Sequence, residues 1–344
     1  MTGYGASVWN RPEVRLLVVA PNWLGDGVMA MPALQELRAR LHPQAVLHLA
    51  CKPGQTGLWQ MHGAPSRIHA LPSAARNLPQ QARLLREEAY THAVLLPNSF
   101  RSALAPFLAG IPRRRGTADP LRRLLVNDPV RLPRLPEEHQ QWENARLLLG
   151  ECPAQLPPPR LHPPAAATAE AASLLQALPA PRLALIPGAA RGPAKRWPGD
   201  RFAAVAAGWI AARGGAVVWL GTAEDHSLCA ELGQALPGAQ QVNLAGRTSL
   251  SVFAALLAGC DAVVANDSGG MHLAAAVGTP VAAIFGLTNP AKTGPLHPQA
   301  AVLQHAARVD RAIARDSTEA RAALEAVTAD EVLERVLAFP PSAR

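Results

Sequence analysis

The run Pro21-Asn22-Trp23-Leu24-Gly25-Asp26-Gly27 sets one carboxylate between two glycines, directly after the apolar, strand-like stretch Leu16–Ala20. A carboxylate in such a turn can act as a general base toward an approaching hydroxyl, with Gly25 and Gly27 leaving space for the substrate. It can equally be the N-cap of the helix that follows. The run Asn266-Asp267-Ser268-Gly269-Gly270-Met271-His272 follows a second apolar stretch, Ala262–Ala265. A hydroxyl and free backbone N–H groups at a helix start suit a diphosphate, and the glycines let an anion approach the backbone. An ordinary Asp/Ser cap has the same composition, and His272 is placed either to touch a phosphate or to pack.

The segment Pro187–Pro198 reads P-G-A-A-R-G-P-A-K-R-W-P and carries Lys195, one of only three lysines. On a loop rich in glycine and proline, Lys195 and Arg196 are suited to neutralise a departing diphosphate. The plainer alternative is a charged surface loop with Trp197 turned inward. Glu224 and Asp225 follow Leu220-Gly221-Thr222, where a nucleotide ribose is often held, or they are surface carboxylates. No D-x-D pattern is present to hold a metal, so a metal-independent reaction is expected, with no cofactor. A phosphate seat in one half and a carboxylate in the other imply a transferase.

Repeated strand–helix units must position these residues. In the first half, strands are expected at Val14–Ala20, Ala45–Ala50 and Ala93–Leu96, with helices at 28–41 and 80–88. A proline-dense stretch, Cys152–Pro164, reads as a linker, because Pro157-Pro158-Pro159 can continue neither a helix nor a central strand. The second series runs from a strand at Leu183–Ile186 to one at Val281–Phe285. A last apolar helix, about 320–337, follows a charged, irregular segment. Such alternation predicts an α/β protein of two Rossmann-like domains facing across a cleft, residues 1–164 and 165–344. The lack of G-x-G-x-x-G after the first strand argues against a dinucleotide fingerprint.

At 344 residues and 49% hydrophobic, the chain is long and apolar enough for two cores. No apolar run approaches a membrane span, and the N-terminus lacks the order of a secretory signal, so a cytoplasmic protein is expected. Cys51, Cys152, Cys229 and Cys260 are scattered and are expected to pack as small apolar residues. The net charge of +8 includes an arginine cluster at 113, 114, 115, 122, 123, 131 and 134. It reads either as a solvated basic face or as a surface for an anionic substrate or membrane. With 4% aromatic residues and none of the common signatures, nucleic acid is not an expected partner.

By three blocks in order, the chain resembles the ADP-heptose:lipopolysaccharide heptosyltransferases, glycosyltransferase family 9. The blocks are Ala20–Met31, Pro187–Pro198, and Asn243–Pro295, the last holding N-L-A-G-R-T-S-L, N-D-S-G-G-M-H-L-A-A-A and G-L-T-N-P-A-K-T-G-P. G-P-A-K-R-W-P is the most discriminating, and a weaker likeness covers Arg114–Asp128. The resemblance implies a GT-B fold and an inverting, metal-independent transfer of heptose from ADP-heptose to a heptose of the lipopolysaccharide inner core. It implies an N-terminal domain for the anionic acceptor and a C-terminal domain for the donor. By motif, Asp26 matches the catalytic base and Lys195 the diphosphate-contacting lysine, while Asp267, Ser268, Gly269 and His272 match the donor loop. The rival readings are a GT-B relative acting on another nucleotide sugar, such as an epimerase, and a non-catalytic nucleotide-sugar-binding protein. The chain departs from the family in having no cysteine in 302–317 and in carrying Arg191 where an aromatic is frequent. The enzyme is expected in the cytoplasm, with peripheral contact at the inner face of the inner membrane an open question.

Overall fold

The structure, a computed structural model, describes residues 6–72, 74–117, 119–189, 192–306 and 317–340. Arg191 and most of the cysteine-free segment lie outside the described residues. The chain divides into two units, Met1–Pro159 and Arg160–Arg344.

In the first unit, the strands are β1 (Arg15–Val19), β2 (Val46–Cys51), β3 (Arg67–Ala70), β4 (His92–Leu95), β5 (Arg113–Gly116) and β6 (Asp128–Pro129). In the second they are β7 (Arg182–Ile186), β8 (Ala216–Trp219), β9 (Gln241–Asn243), β10 (Ala262–Asn266), β11 (Val281–Ile284) and β12 (Ala300–Leu303). All pairings are parallel. The sheet orders are β3-β2-β1-β4-β5-β6 and β12-β11-β10-β7-β8-β9. Counted within its own unit, each sheet has the same Rossmann order, reversing between its first and fourth strands. Those reversal points, β1/β4 and β7/β10, are where such sheets bind ligands.

Helices on both faces explain the continuous apolar strands. Leu16, Leu17 and Val18 of β1 are buried, as is every residue of β10. The second core gathers Trp197, Phe202, Trp209 and Trp219 around β7, β8 and β10. In the first, one cluster runs from Leu17 and Leu95 to Leu85 and Ala103.

Three expectations change. The single helix expected near 320–337 is two, Thr318–Glu325 and Ala329–Leu337. A capping box between Thr328 and Glu331 starts the second of these, so a polar signal inside an apolar period was decisive. Of the cysteines, Cys51, Cys229 and Cys260 are buried but Cys152 is exposed. Burial pushes the thiols of Cys51 and Cys229 up to about 11 and about 12.

The arginine cluster is the third. Arg113–Arg115 form most of β5 rather than a solvated face. Arg115 is buried, paired with Asp128 at 2.9 Å and donating to the Leu147 carbonyl at 2.8 Å. Arg122 is 1% exposed and donates to the carbonyls of Thr117 and Pro97. Arg114 donates to the Leu125 carbonyl at 2.7 Å and lies 5.3 Å over the Phe107 ring. Three of the seven guanidiniums therefore hold the edge of the first sheet together. Arg113, Arg123, Arg131 and Arg134 remain exposed.

A buried polar network joins β2 and β3 of the same sheet to the turn before β4. The Tyr90 hydroxyl bridges His48 Nδ1 and His69 Nε2, each at 2.7 Å. Glu88 lies 3.7 and 4.0 Å from those nitrogens and pairs with Arg67 and Arg15. Burial outweighs the nearby Glu88 charge and pushes His48 from 6.5 down to about 4; it lowers His69 as well. Burial also pushes Glu88 up, but the bond and charge of Arg67 outweigh it and the net shift is downward. The signs agree. Below about pH 6.5 the unfolded chain takes up protons that folded His48 refuses until about pH 4. The Glu88 contribution is present above its unfolded value of 4.5 and is lost as pH falls through its lower folded value. Stability should fall on acidification from pH 6.5 to 4, by on the order of 3 kcal/mol from His48 alone. Thermal melts across that range test this. A pH-independent melting temperature would contradict it.

Candidate functional site

In parallel sheets the loops after each strand share one edge, so the loops after β7, β8 and β10 meet at the carboxyl end of the second sheet. The loop after β7 is held by a side chain of β10. Asn266, fully buried, accepts from the Trp197 amide at 2.9 Å and donates to the Pro187 carbonyl at 2.8 Å. Trp197 is indeed turned inward: its indole donates to the Val327 carbonyl at 3.0 Å and meets Phe202 edge-on at 5.0 Å. Gly192 turns the loop at φ +91°, a conformation that favours glycine. Pro193–Lys195 then form a 3-10 turn, with Ala194 packed on Leu287 and Ala320.

The result is a fixed lysine. Its Nζ pairs with Asp267, and both side chains are largely buried. Asp267 stands where β10 gives way to the helix Gly269–Ala276, whose first amides have no partner within the helix. Ser268 occupies the N-cap position without a side-chain capping bond, so its hydroxyl is not used to cap the helix. Lys195, Asp267, Ser268 and Gly269 are thus brought together at the β7/β10 reversal. Gly270 also meets a packing requirement: a Cβ there would come within 2.7 Å of Ile186, so its absence lets the helix approach β7. His272 is buried.

After β8 the two acids part company. Asp225 is buried, accepting from the Thr222 amide and hydroxyl at 2.9 and 2.8 Å in a capping box. Arg196 lies 3.8 Å from its other oxygen, and a Cβ on Gly188 would stand 2.3 Å from the carboxyl. Asp225 therefore ties the loop after β7 to the one after β8. Glu224 beside it is exposed.

In the first unit, Asp26 is not an N-cap. The helix begins at Leu24, with Trp23 as cap, and Asp26 sits in its first turn directly after β1. A carboxylate there interacts favourably with the helix dipole. It is half-buried and accepts from Gln140 Nε2 at 3.3 Å. Gln140 opens the helix Gln140–Leu149, which is fixed by Asn144 donating to the Met29 carbonyl at 3.3 Å. Gly27 does not open the site: it is buried, and a Cβ there would lie 3.0 Å from Leu58.

Sequence reasoning missed Gln140, and it gave no role to Asn266 and Trp23 although both lie in the runs it singled out. Gln140 is far along the chain from Asp26 and belongs to no motif. Trp23 is 56% exposed three residues before Asp26, and an apolar ring at a turn otherwise suited to sugar was the available signal.

Among the described residues, His48, His69 and Glu88 could converge on a metal, their ligand atoms lying within 4.8 Å of one another. Tyr90 already joins both rings, and Arg15 and Arg67 balance Glu88.

Comparison with known proteins bears on the family and the fold. The profile of glycosyltransferase family 9 (heptosyltransferase) matches residues 80–320. Lipopolysaccharide heptosyltransferase 2 of Escherichia coli K12 is 34% identical over 310 residues, covering 85% of this chain and 88% of that one. Lipooligosaccharide heptosyltransferase 2 of Haemophilus influenzae Rd is 34% identical over 311 residues, with the same coverages. The solved structure of E. coli ADP-heptose lipopolysaccharide heptosyltransferase II superposes with a TM-score of 0.82 at 31% identity. It spans 95% of this chain and 98% of that one.

Proposed function

The chain belongs to glycosyltransferase family 9, and from that premise we propose that it transfers heptose from ADP-heptose to a heptose of the lipopolysaccharide inner core, with inversion and without a metal. One observation carries the reading. The fixed lysine and helix start lie at the reversal point of the second sheet, and the first-turn carboxylate lies at the matching point of the first.

In this mechanism the second unit binds ADP-heptose, with the diphosphate against Lys195 and the amides of the helix that follows Ser268. Asp267 holds the ammonium in place, and Lys195 screens that carboxylate from the diphosphate. Glu224, exposed at the end of β8, is the candidate ribose contact. Asp26 takes the proton of an acceptor hydroxyl, whose oxygen forms the new bond to the anomeric carbon from the face opposite ADP. The bond to ADP breaks with its electron pair going to the β-phosphate oxygen. There the ammonium and the amides stabilise the departing charge. Gln140 is a positioning residue for Asp26. Trp23 offers an apolar face to the acceptor ring.

The proposal predicts a single inverted anomer in the product by NMR, formed at an unchanged rate in excess EDTA. A retained anomer or loss of activity in EDTA would overturn the mechanism.

The proposed setting is the cytoplasmic face of the inner membrane. All four cysteines are free thiols, as suits a reducing compartment, and no helix among the described residues is long and apolar enough to cross a membrane. Leu121 and Leu124 are 70% and 73% exposed beside Arg123, a pairing suited to an anionic bilayer surface. Sedimentation with phosphatidylglycerol vesicles, and not phosphatidylcholine ones, should fall in Leu121→Ser/Leu124→Ser; equal sedimentation of both proteins would refute the contact.

A further inference from the structure

The buried network of His48, His69, Tyr90 and Glu88 takes no part in the mechanism above. His69 stands opposite Ala50 in the register of β2 and β3, and residues two apart on a strand share a face. His48 and His69 therefore project to the same side of the sheet, and their rings meet edge-on at 5.6 Å. Glu88 and Tyr90 come from the end of the helix Leu78–Glu87, where Ala89 adopts φ +48°. Glycine is the usual residue in that left-handed position, and Ala89 is the one non-glycine among the described residues to take it. The turn brings a carboxylate and a phenol to the two rings.

These groups match the donors of a transition-metal site. Zinc takes imidazole nitrogen and carboxylate oxygen at about 2.0–2.2 Å, so two donors on a tetrahedral ion stand roughly 3.3 Å apart. Glu88 lies 3.7 Å from His48 Nδ1 and 4.0 Å from His69 Nε2, and the three ligand atoms fall within 4.8 Å of one another. No other group of three His, Cys, Asp or Glu side chains among the described residues converges in this way. Tyr90 joins the rings, but its hydroxyl has a single proton, which it gives to one nitrogen while accepting from the N–H of the other. A metal needs a lone pair from each ring. The ring that donates to Tyr90 would then carry its proton on its other nitrogen, while burial, which pushes Tyr90 up, keeps the phenol protonated. Burial also lowers both histidines, so they are uncharged and ready as ligands at neutral pH. Arg67 and Arg15 bond Glu88 from outside, as hydrogen-bond donors do around ligating carboxylates. Their charge opposes a cation, which limits the affinity but not the geometry.

We propose that His48, His69 and Glu88 bind a divalent transition metal, with Tyr90 beside the fourth position, and that the ion pins β2 and β3 to the turn before β4. The site is structural and independent of the transferase reading, since it asks nothing of Asp26 or Lys195.

The test is calorimetric titration of zinc into wild type that has been stripped with EDTA and dialysed, with melting temperature and ADP release measured alongside. One zinc per chain should bind and raise the melting temperature, while acceptor-dependent ADP release stays as in the stripped protein. Binding should persist from about pH 7 to 6, where an ordinary imidazole of pKa about 6.5 is lost to protons. His69→Gln and Glu88→Gln should each weaken zinc binding by at least about tenfold. Cobalt(II) in wild type should give the intense visible absorption of tetrahedral coordination, a readout that needs no variant to fold. Zinc binding unchanged in both variants, or no stoichiometric binding to folded wild type, would overturn the site. Loss of ADP release from stripped but still folded protein would overturn its separation from transfer.

Discussion

Asp26→Asn is expected to lower heptosyl transfer by about 10²–10⁴-fold while donor affinity and melting temperature stay near wild type. The substitution is isosteric, and the amide oxygen of asparagine can still accept from Gln140, whose Nε2 lies 3.3 Å from Asp26 Oδ1. What is lost is the basic oxygen that takes the acceptor's proton. The defect should therefore appear in kcat, with ADP-heptose binding by calorimetry unaffected. Gln140→Ala should act more mildly, because it removes one bond to the carboxylate but not the carboxylate itself. If Asp26→Asn kept full turnover, the residue would be only part of the helix start.

Lys195→Ala is the second large effect, an expected loss of about 10²–10³-fold in kcat/KM through the charge that leaves with ADP. It has a structural companion. Asp267 is largely buried and would lose its partner, and breaking a buried pair from one side typically costs about 3–5 kcal/mol. The two consequences can be separated. Lys195→Ala/Asp267→Asn removes the orphaned charge and should recover most of the stability while remaining inactive. Lys195→Arg keeps a cation and should retain partial activity. Recovery of turnover in the double variant would show that the lysine matters only as a partner for Asp267.

The parts of this site legible in the sequence are those that a turn chemistry marks locally. A carboxylate or a Ser-Gly pair after an apolar run announces a strand end, so Asp26, Asp267, Ser268 and Gly269 stand out without an alignment. Lys195 stands out because lysine is rare here. The fold class followed from the same alternation, since strands covered on both faces read as unbroken apolar runs. What the sequence concealed depends on distant contacts. Gln140 meets Asp26 only because two helices pack, and Asn266 reads as a strand residue until its bonds to Pro187 and Trp197 are seen. Strand β5 was hidden because three consecutive arginines resemble a solvated patch, yet Asp128 and backbone carbonyls satisfy two of them inside the fold. The packing demand on Gly270 was hidden for a related reason: a glycine required by Ile186 packing and one required by a phosphate look alike in a sequence.

The most direct test of the account is ADP release from ADP-heptose, with and without a heptose-bearing inner-core acceptor, for wild type and Asp26→Asn. The account predicts release that depends on the acceptor and collapses in the variant. Release from wild type that ignores the acceptor, or none with any core acceptor, would contradict it.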